Sequence, residues 1–139
     1  MVELANINIL AVIITALLPM VLGSLWYSPL LFGKTWMAMM GITKKNINKK
    51  SNSMTNSYVI ALIGALVTSY VLAHFVDYLG ANTFGLGMQT GFWVWLGFVA
   101  TSMLGTVIWE GKPWKLYLIN AGYYFISLPL MGGILAVWN

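Results

Sequence analysis

Four long apolar stretches, almost free of charge, limit what this chain can fold into more than any other feature. They cover about residues 6–28, 56–78, 88–109 and 114–138 of a 139-residue chain. A helix that spans a bilayer needs about 20 mainly apolar residues, so each stretch is long enough to cross once. The stretches lack the alternation typical of a membrane β-barrel. The sequence therefore predicts one integral membrane domain, residues 1–139, folded as an all-α bundle of four transmembrane helices.

The lysines predict the orientation of this bundle. All seven lie in the first and third connections, and the amino terminus, the second connection and the carboxyl tail have none. Because short loops rich in Lys stay in the cytoplasm, we expect these loops inside and both termini outside, in the cell membrane. For the basic loop of about residues 33–55, we favour a solvated loop over a contact with anionic lipid. Nothing in it supports nucleic-acid binding.

The composition argues against catalysis and metal binding. The chain has no cysteine, and His74 is its only histidine. Thiolate nucleophiles and Cys-bound zinc are therefore excluded, and an ordinary haem or metal site would need ligands from another chain. The sequence also lacks paired carboxylates within the apolar stretches, a Ser-His-acid motif and a phosphate-binding glycine loop. We expect no enzyme activity, no cofactor and no metal.

Polar residues near the predicted outer ends of the helices are candidates for a binding site. His74 and Asp77 lie three residues apart, which places both on one face of a helix. With Asn8 and Gln89 they could form an outward polar pocket that binds a solute or exchanges a proton. We favour the alternative, in which His74 and Asp77 cap a helix end at the level of the lipid headgroups.

Within the spans, two prolines and one amide are the residues of interest. Pro19 should free the carbonyl of Thr15, and Pro129 should free a carbonyl one turn before it, because proline lacks a backbone N–H. Two freed carbonyls could line a path for water or a cation. We favour kinks whose carbonyls bond to nearby hydroxyls, such as those of Thr15 and Ser127. Asn120 is expected to hydrogen-bond across to another helix.

The predicted inner interface is rich in aromatic and charged residues. They are Trp26, Tyr27, Pro29, Lys34, Trp36, Glu110 and Lys112. Trp and Tyr anchor helix ends at the interface, Pro29 should end the first helix, and Lys34 should reach lipid phosphates. Glu110 is expected to form an ion pair with a nearby lysine such as Lys112, in preference to a proton or cation relay.

Two short motifs at this interface are similar to each other. LGSLW followed by GKTW lies within residues 22–36, and LGTVIW followed by GKPW within residues 104–114. Their spans would run in the same direction, so the chain could consist of two weakly related helical hairpins. Shared anchoring by Trp and Lys at one membrane interface explains the likeness equally well.

The stretch LWYSPLLFGKTWM at residues 25–37 resembles the first-helix motif of a membrane family called domain of unknown function 1761. WLGF at 95–98, LIN at 118–120 and LMGG at 130–133 are similar to its later elements. The resemblance implies a small four-helix integral membrane protein without an assigned activity, substrate or cofactor. It brings no catalytic or binding residues to this chain.

Small residues on the spans favour a protein that docks within the bilayer. Gly97, Thr101 and Gly105 recur every four residues, and such residues let helix backbones approach closely. We therefore favour a structural or accessory protein that docks onto itself, as a homo-oligomer, or onto other membrane subunits. The alternative is a small oligomeric transporter or channel for a proton, a cation or a small polar solute. Four helices with so few polar groups would make a poor conduit as a monomer.

Overall fold

The computed structural model describes residues 6–41 and 51–138, and within them the chain is helical without strands. Four helices are long and apolar enough to cross a membrane, and we call them the first to fourth spans. They are Ile9–Trp26, Thr55–Tyr78, Phe84–Ile108 and Trp114–Val137. The predicted all-α fold with four apolar helices is therefore confirmed.

The third span is the only one of the four that changes helix type along its length. It begins as an α-helix and continues through a π-helical segment and a 3₁₀ turn before a last short α-helix. In chain order the helices are α1 Ile9–Trp26, α2 Gly33–Met40, α3 Ser51–Tyr78, α4 Phe84–Val94, the π segment Trp95–Ala100, the 3₁₀ turn Ser102–Leu104, α5 Gly105–Ile108 and α6 Trp114–Val137.

Side-chain caps set where two of the spans begin. Asn8 Oδ1 accepts a hydrogen bond from the Ala11 amide at 3.2 Å, which starts the first span. Thr83 Oγ1 accepts from the Leu86 amide at 3.2 Å, so the third span begins at Phe84, four residues before the predicted start at Met88. The apolar pattern alone did not show this cap.

The first and fourth spans run antiparallel, and hydrogen bonds join them at both ends. Asn8 Nδ2 donates to the Trp138 carbonyl at 3.1 Å, and Tyr27 Oη donates to Asn120 Oδ1 at 2.7 Å. We call the end of the bundle with the Asn8–Trp138 bond the terminal end, because the described chain begins and ends there. The opposite end carries Lys34, Lys112 and Lys115, and we call it the lysine end.

The fourth span is the centre of the bundle and contacts the other three. In an 18-residue apolar stretch of each span, half of the residues are buried in the fourth, against 11% in the third. Its closest partner is α4, because a Cβ on Gly87 would lie 2.2 Å from the Gly132 carbonyl oxygen and one on Gly91 would lie 2.1 Å from that of Leu128. Two glycines in register thus allow direct contact between the α4 and α6 backbones.

The small residues predicted on the third span take no part in this contact. A Cβ on Gly97 would have no neighbour within 4 Å, and one on Gly105 would meet only the Trp109 side chain, at 3.5 Å. Gly132, in contrast, lies in the interface, where a Cβ would meet the Gly87 carbonyl oxygen. The third span therefore makes its closest backbone contact through its first half. Further along, Trp95 Nε1 donates to the Ala121 carbonyl and Tyr117 Oη donates to the Ala100 carbonyl, so the second half is only partly covered by the fourth span, with Gly97 and Thr101 exposed.

The two similar motifs adopt different structures. GKTW begins the short helix α2 at Gly33, whereas GKPW turns at Gly111, which has a left-handed φ of 69°, and leads directly into the fourth span. LGSLW lies in regular α-helix, but LGTVIW crosses from the 3₁₀ turn into α5. The likeness between the hairpins is thus confined to their Trp and Lys content.

Candidate functional site

The stretch after the first span forms a tight turn that positions the residues of a cleft. Ser28 Oγ donates to the Leu25 carbonyl at 2.6 Å, and this is the carbonyl that Pro29 deprives of its helical partner. The chain then returns on itself, so that a Cβ on Gly33 would lie 2.4 Å from the Tyr27 carbonyl oxygen. Only glycine fits at this point, and α2 begins there.

Polar side chains of this region form hydrogen bonds with the fourth span and do not serve only as anchors at the lipid interface. Trp26 Nε1 donates to the Ile119 carbonyl at 2.9 Å, one residue before the Asn120 that receives the Tyr27 hydroxyl. From the other side, Tyr123 Oη donates to the Pro19 carbonyl at 2.6 Å. Asn120, expected to bond across to another part of the bundle, does so through Tyr27.

Aromatic rings form a continuous wall beside these bonds. Trp36 and Tyr27 have ring centroids 5.4 Å apart, Tyr27 and Tyr123 are separated by 5.7 Å, and Tyr123 and Tyr124 by 4.9 Å. The interplanar angles lie between 60° and 66°, which is the edge-to-face geometry that aromatic quadrupoles favour. Three elements, α1, α2 and α6, are thereby held in one arrangement at the lysine end.

This wall lines a cleft of about 570 Å³, which we call the aromatic cleft. Its volume lies within the range of small-molecule sites, about 300–1,000 Å³. It is lined by Pro19, Met20, Gly23, Ser24, Tyr27, Trp36, Met40, Tyr58, Ala61, Asn120, Tyr123 and Tyr124. None of these is Asp, Glu, Lys, Arg or His, so the cleft is polar but uncharged.

Several donors in the aromatic cleft have no partner among the described residues. They are the amide nitrogen of Asn120, whose oxygen is already engaged, and the hydroxyls of Tyr58 and Tyr124. Tyr58 and Tyr124 are exposed, so their hydroxyls are open to water or to a ligand, and the half-buried Asn120 amide would gain most from such a partner. The cleft is therefore suited to binding a molecule that accepts hydrogen bonds.

One helical turn further into the bundle lie two buried hydroxyls. Thr15 and Ser127 are each 1% exposed, and neither hydroxyl forms a hydrogen bond of good geometry in the described part of the chain, although Ser127 lies close enough to Tyr123 to interact. The expectation that they would satisfy carbonyls freed by proline is thus not met. At Pro19, the cross-helix bond comes from Tyr123 and reaches the proline's own carbonyl.

The two prolines within the spans face different surroundings. Pro19 lines the aromatic cleft, whereas Pro129 lines an almost wholly apolar hollow of about 380 Å³ together with Gln89 and Phe125. A Cβ on Gly91 would lie 2.7 Å from Pro129 Cα, so this proline belongs to the α4–α6 contact. The two prolines do not line a common cavity.

The four candidates for an outer polar pocket do not line one cavity together. Asn8 bonds within the helix end and to Trp138. His74 Nδ1 lies 2.8 Å from the Tyr70 carbonyl, and the ring packs between Tyr70 and Tyr78, lining an apolar hollow there. Gln89 lines one hollow with Met88 and another with Trp93. It does not line the hollow of His74. Asp77 lies on the same helix as His74, near the terminal end of the bundle.

The charged residues of the lysine end lie at its surface. Lys34, Glu110 and Lys112 are exposed, and no ion pair joins Glu110 to a lysine within residues 6–41 and 51–138. The four lysines of the basic loop, at positions 44, 45, 49 and 50, lie outside the described residues.

Sequence reasoning missed the tyrosines that complete the aromatic cleft and the glycines that bring α4 to α6. Tyr58, Tyr123 and Tyr124 line one cleft, but nothing in their sequence spacing shows that they converge. The glycines at 87 and 91 did carry a signal, since GMQTG has the four-residue spacing typical of close helix contacts.

Four apolar helices arranged in this way define a multi-pass α-helical membrane protein. A family model described as "Protein of unknown function (DUF1761)" matches residues 10–136, almost the whole chain, and the chain belongs to this family. The resemblance drawn from the motifs is thereby confirmed. No curated protein and no solved structure is detectably similar to the chain.

Proposed function

We propose that this protein is a non-catalytic membrane protein that docks within the bilayer onto a second copy of itself, through the second half of its third span. The observation that carries the proposal is the uneven burial of the spans. In an 18-residue apolar stretch of each span, 11% of the residues are buried in the third span, against 22%, 28% and 50% in the first, second and fourth, and the fourth span already fills the centre of the bundle. The third span therefore has the most surface free for a partner helix.

The uncovered surface has the composition of a helix–helix interface. Gly97 and Thr101 are exposed, and Gly105, on the same segment, is half-buried with only the Trp109 side chain near a Cβ, at 3.5 Å. Thr101 Oγ1 donates to the Gly97 carbonyl at 2.7 Å, so its hydroxyl is already satisfied. Large side chains would cover the backbone against lipid, whereas this face leaves the backbone accessible to a close neighbour.

A second copy is the partner that this face fits best. A strip of small residues is complementary to an identical strip, because each backbone can approach where the other lacks side chains. Two copies related by a twofold axis would use the same surface on both sides and leave no free interface. The contact would need no charged or polar group beyond those present.

The orientation and the lack of catalysis belong to the same proposal. We place the lysine end in the cytoplasm, since the described lysines 34, 112 and 115 all lie there and positive residues remain on that side. The cleft at that end has no carboxylate, imidazole or amine in its lining, and the described residues hold no cluster of metal ligands. Its chemistry suits binding and not proton transfer or hydrolysis.

The test is the mass of the protein extracted in a detergent without a sugar headgroup, measured by analytical ultracentrifugation. We expect twice the chain mass of 15.4 kDa for the natural sequence. Gly97→Leu and Gly105→Leu should give monomers, because a large side chain would hold the backbones apart. Gly64→Leu is the matched control, since Gly64 is exposed on the second span with no neighbour within 4 Å of a Cβ.

Three outcomes would contradict self-docking. They are a monomer for the natural sequence, an equal loss of dimer in the Gly64→Leu control, and a dimer that survives both changes in the third span. Stable co-purification of a foreign subunit, lost in Gly97→Leu, would instead assign the same surface to a larger membrane complex.

A further inference from the structure

The aromatic cleft lies where a headgroup of the surrounding leaflet could enter it. Its lining comes from the second half of the first span, from α2, from the start of the second span and from the first half of the fourth span, so it extends inward from the lysine end to Pro19 and Tyr124. Trp and Lys residues concentrate at this end, as they do at the level of lipid headgroups. The cleft is open to its surroundings and not an enclosed cavity.

The described lining disfavours a ligand with a buried net charge. None of its described residues is formally charged, so none of them would offer an opposite charge to a phosphate or an ammonium group. Burial of an ion without such a partner is strongly unfavourable. The group that enters the cleft should therefore be neutral.

The hydrogen-bonding groups of the cleft call for a ligand that both accepts and donates. The Asn120 amide nitrogen and the Tyr58 and Tyr124 hydroxyls are donors without partners among the described residues. The hydroxyls of Tyr27 and Tyr123 already donate, to Asn120 and to Pro19, but each oxygen keeps acceptor capacity. Hydroxyl groups on the ligand would satisfy both kinds of site.

The wall of rings adds a preference for a ring-shaped ligand. Tyr27, Trp36, Tyr123 and Tyr124 form an unbroken aromatic row with centroid separations of 4.9–5.7 Å. The negative faces of such rings attract the weakly positive C–H groups that cover one face of a sugar. The hydroxyls at the edge of the sugar remain free to reach the amide and phenol groups.

We propose that the aromatic cleft binds a neutral polyhydroxyl ring, either as the headgroup of a glycolipid or as a free sugar. The volume of about 570 Å³ accommodates one such ring. This binding is independent of self-docking, because none of the cleft residues lies on the third span.

The test uses the full chain in a detergent without a sugar headgroup, with native mass spectrometry and the thermal unfolding midpoint as readouts. The probes are monoglucosyl and monogalactosyl diacylglycerol, diacylglycerol with the same acyl chains, phosphatidylethanolamine, and free glucose and galactose. We expect at least one glycolipid to remain bound and raise the unfolding midpoint, while diacylglycerol and phosphatidylethanolamine do not. A free sugar that is equally effective would identify the soluble form as the source.

Two variants tie the binding to the cleft. Tyr58→Phe and Tyr124→Phe each remove a hydroxyl that bonds to no described residue, so both variants should fold normally. Each should weaken binding about 2- to 10-fold, the effect of losing one hydrogen bond. Tyr78→Phe is the matched control, since Tyr78 is exposed at the terminal end, far from the cleft.

Several results would overturn the proposal. Phosphatidylethanolamine bound as well as the glycolipids would assign the cleft to zwitterionic headgroups or to acyl chains. Binding unchanged in both cleft variants, or reduced equally in Tyr78→Phe, would place the ligand elsewhere. Failure of all the sugar probes to bind would remove polyhydroxyl recognition altogether.

Discussion

Gly87 is one of three glycines, with Gly91 and Gly132, at which a small chemical change should have a large effect on stability. In Gly87→Ala the new Cβ would lie 2.2 Å from the Gly132 carbonyl oxygen and 2.6 Å from the Ala136 Cβ. Non-bonded heavy atoms are most stable at about 3.5–4.0 Å, so α4 and α6 must separate by about 1 Å. The closest obstacle is backbone, which cannot rotate away. We expect a loss of about 3 kcal/mol in the free energy of unfolding, at the upper end for overpacking.

The measurement is reversible unfolding in mixed micelles with increasing SDS, followed by circular dichroism or Trp fluorescence. Gly85→Ala is the matched control on the same helix, because its Cβ would have no neighbour within 4 Å. The control should be neutral or more stable by up to about 1 kcal/mol, since alanine is the better helix former. If Gly87→Ala and Gly85→Ala unfold within about 0.5 kcal/mol of each other, direct contact between the two backbones is refuted.

Three further predictions test other parts of the structure. A double-mutant cycle of Tyr27→Phe and Asn120→Leu should give a coupling of about 0.6–1.7 kcal/mol in the same unfolding assay, as for other hydrogen bonds in membranes; a coupling near zero would contradict the bond. Thr15→Val should raise stability by about 1 kcal/mol by removing a buried hydroxyl without a partner, whereas a loss would indicate that a buried water satisfies it. Because the chain has no cysteine, an impermeant maleimide should label Asn82→Cys from outside intact cells and Lys112→Cys only after permeabilisation; the reverse pattern would invert the proposed topology.

The candidate site was only partly visible in the sequence. The residues from Trp26 to Trp36 predict the inner interface, and the position of Asn120 predicts a hydrogen bond to another helix. Tyr58 and the pair Tyr123–Tyr124 were not connected with them, because their side chains meet only once three segments pack together. The outer group of Asn8, His74, Asp77 and Gln89 shows the opposite case. Proximity to one end of a bundle did not place these side chains on a common surface.

The sequence by itself determined the number of spans, their approximate limits and their helical fold. These properties follow from how many apolar residues each segment must place in lipid, and composition records that directly. It also contained the motifs of the family to which the chain belongs.

Tertiary structure alone decided which faces meet and which remain free. In a membrane helix almost every side chain is apolar, so hydrophobicity does not mark the buried face as it does in water. Gly87 with Gly91, and Gly97 with Thr101, are both small residues four apart, yet the first pair contacts the fourth span and the second is exposed. Shape complementarity between whole helices makes that choice, and the same packing brings the tyrosines together around the aromatic cleft.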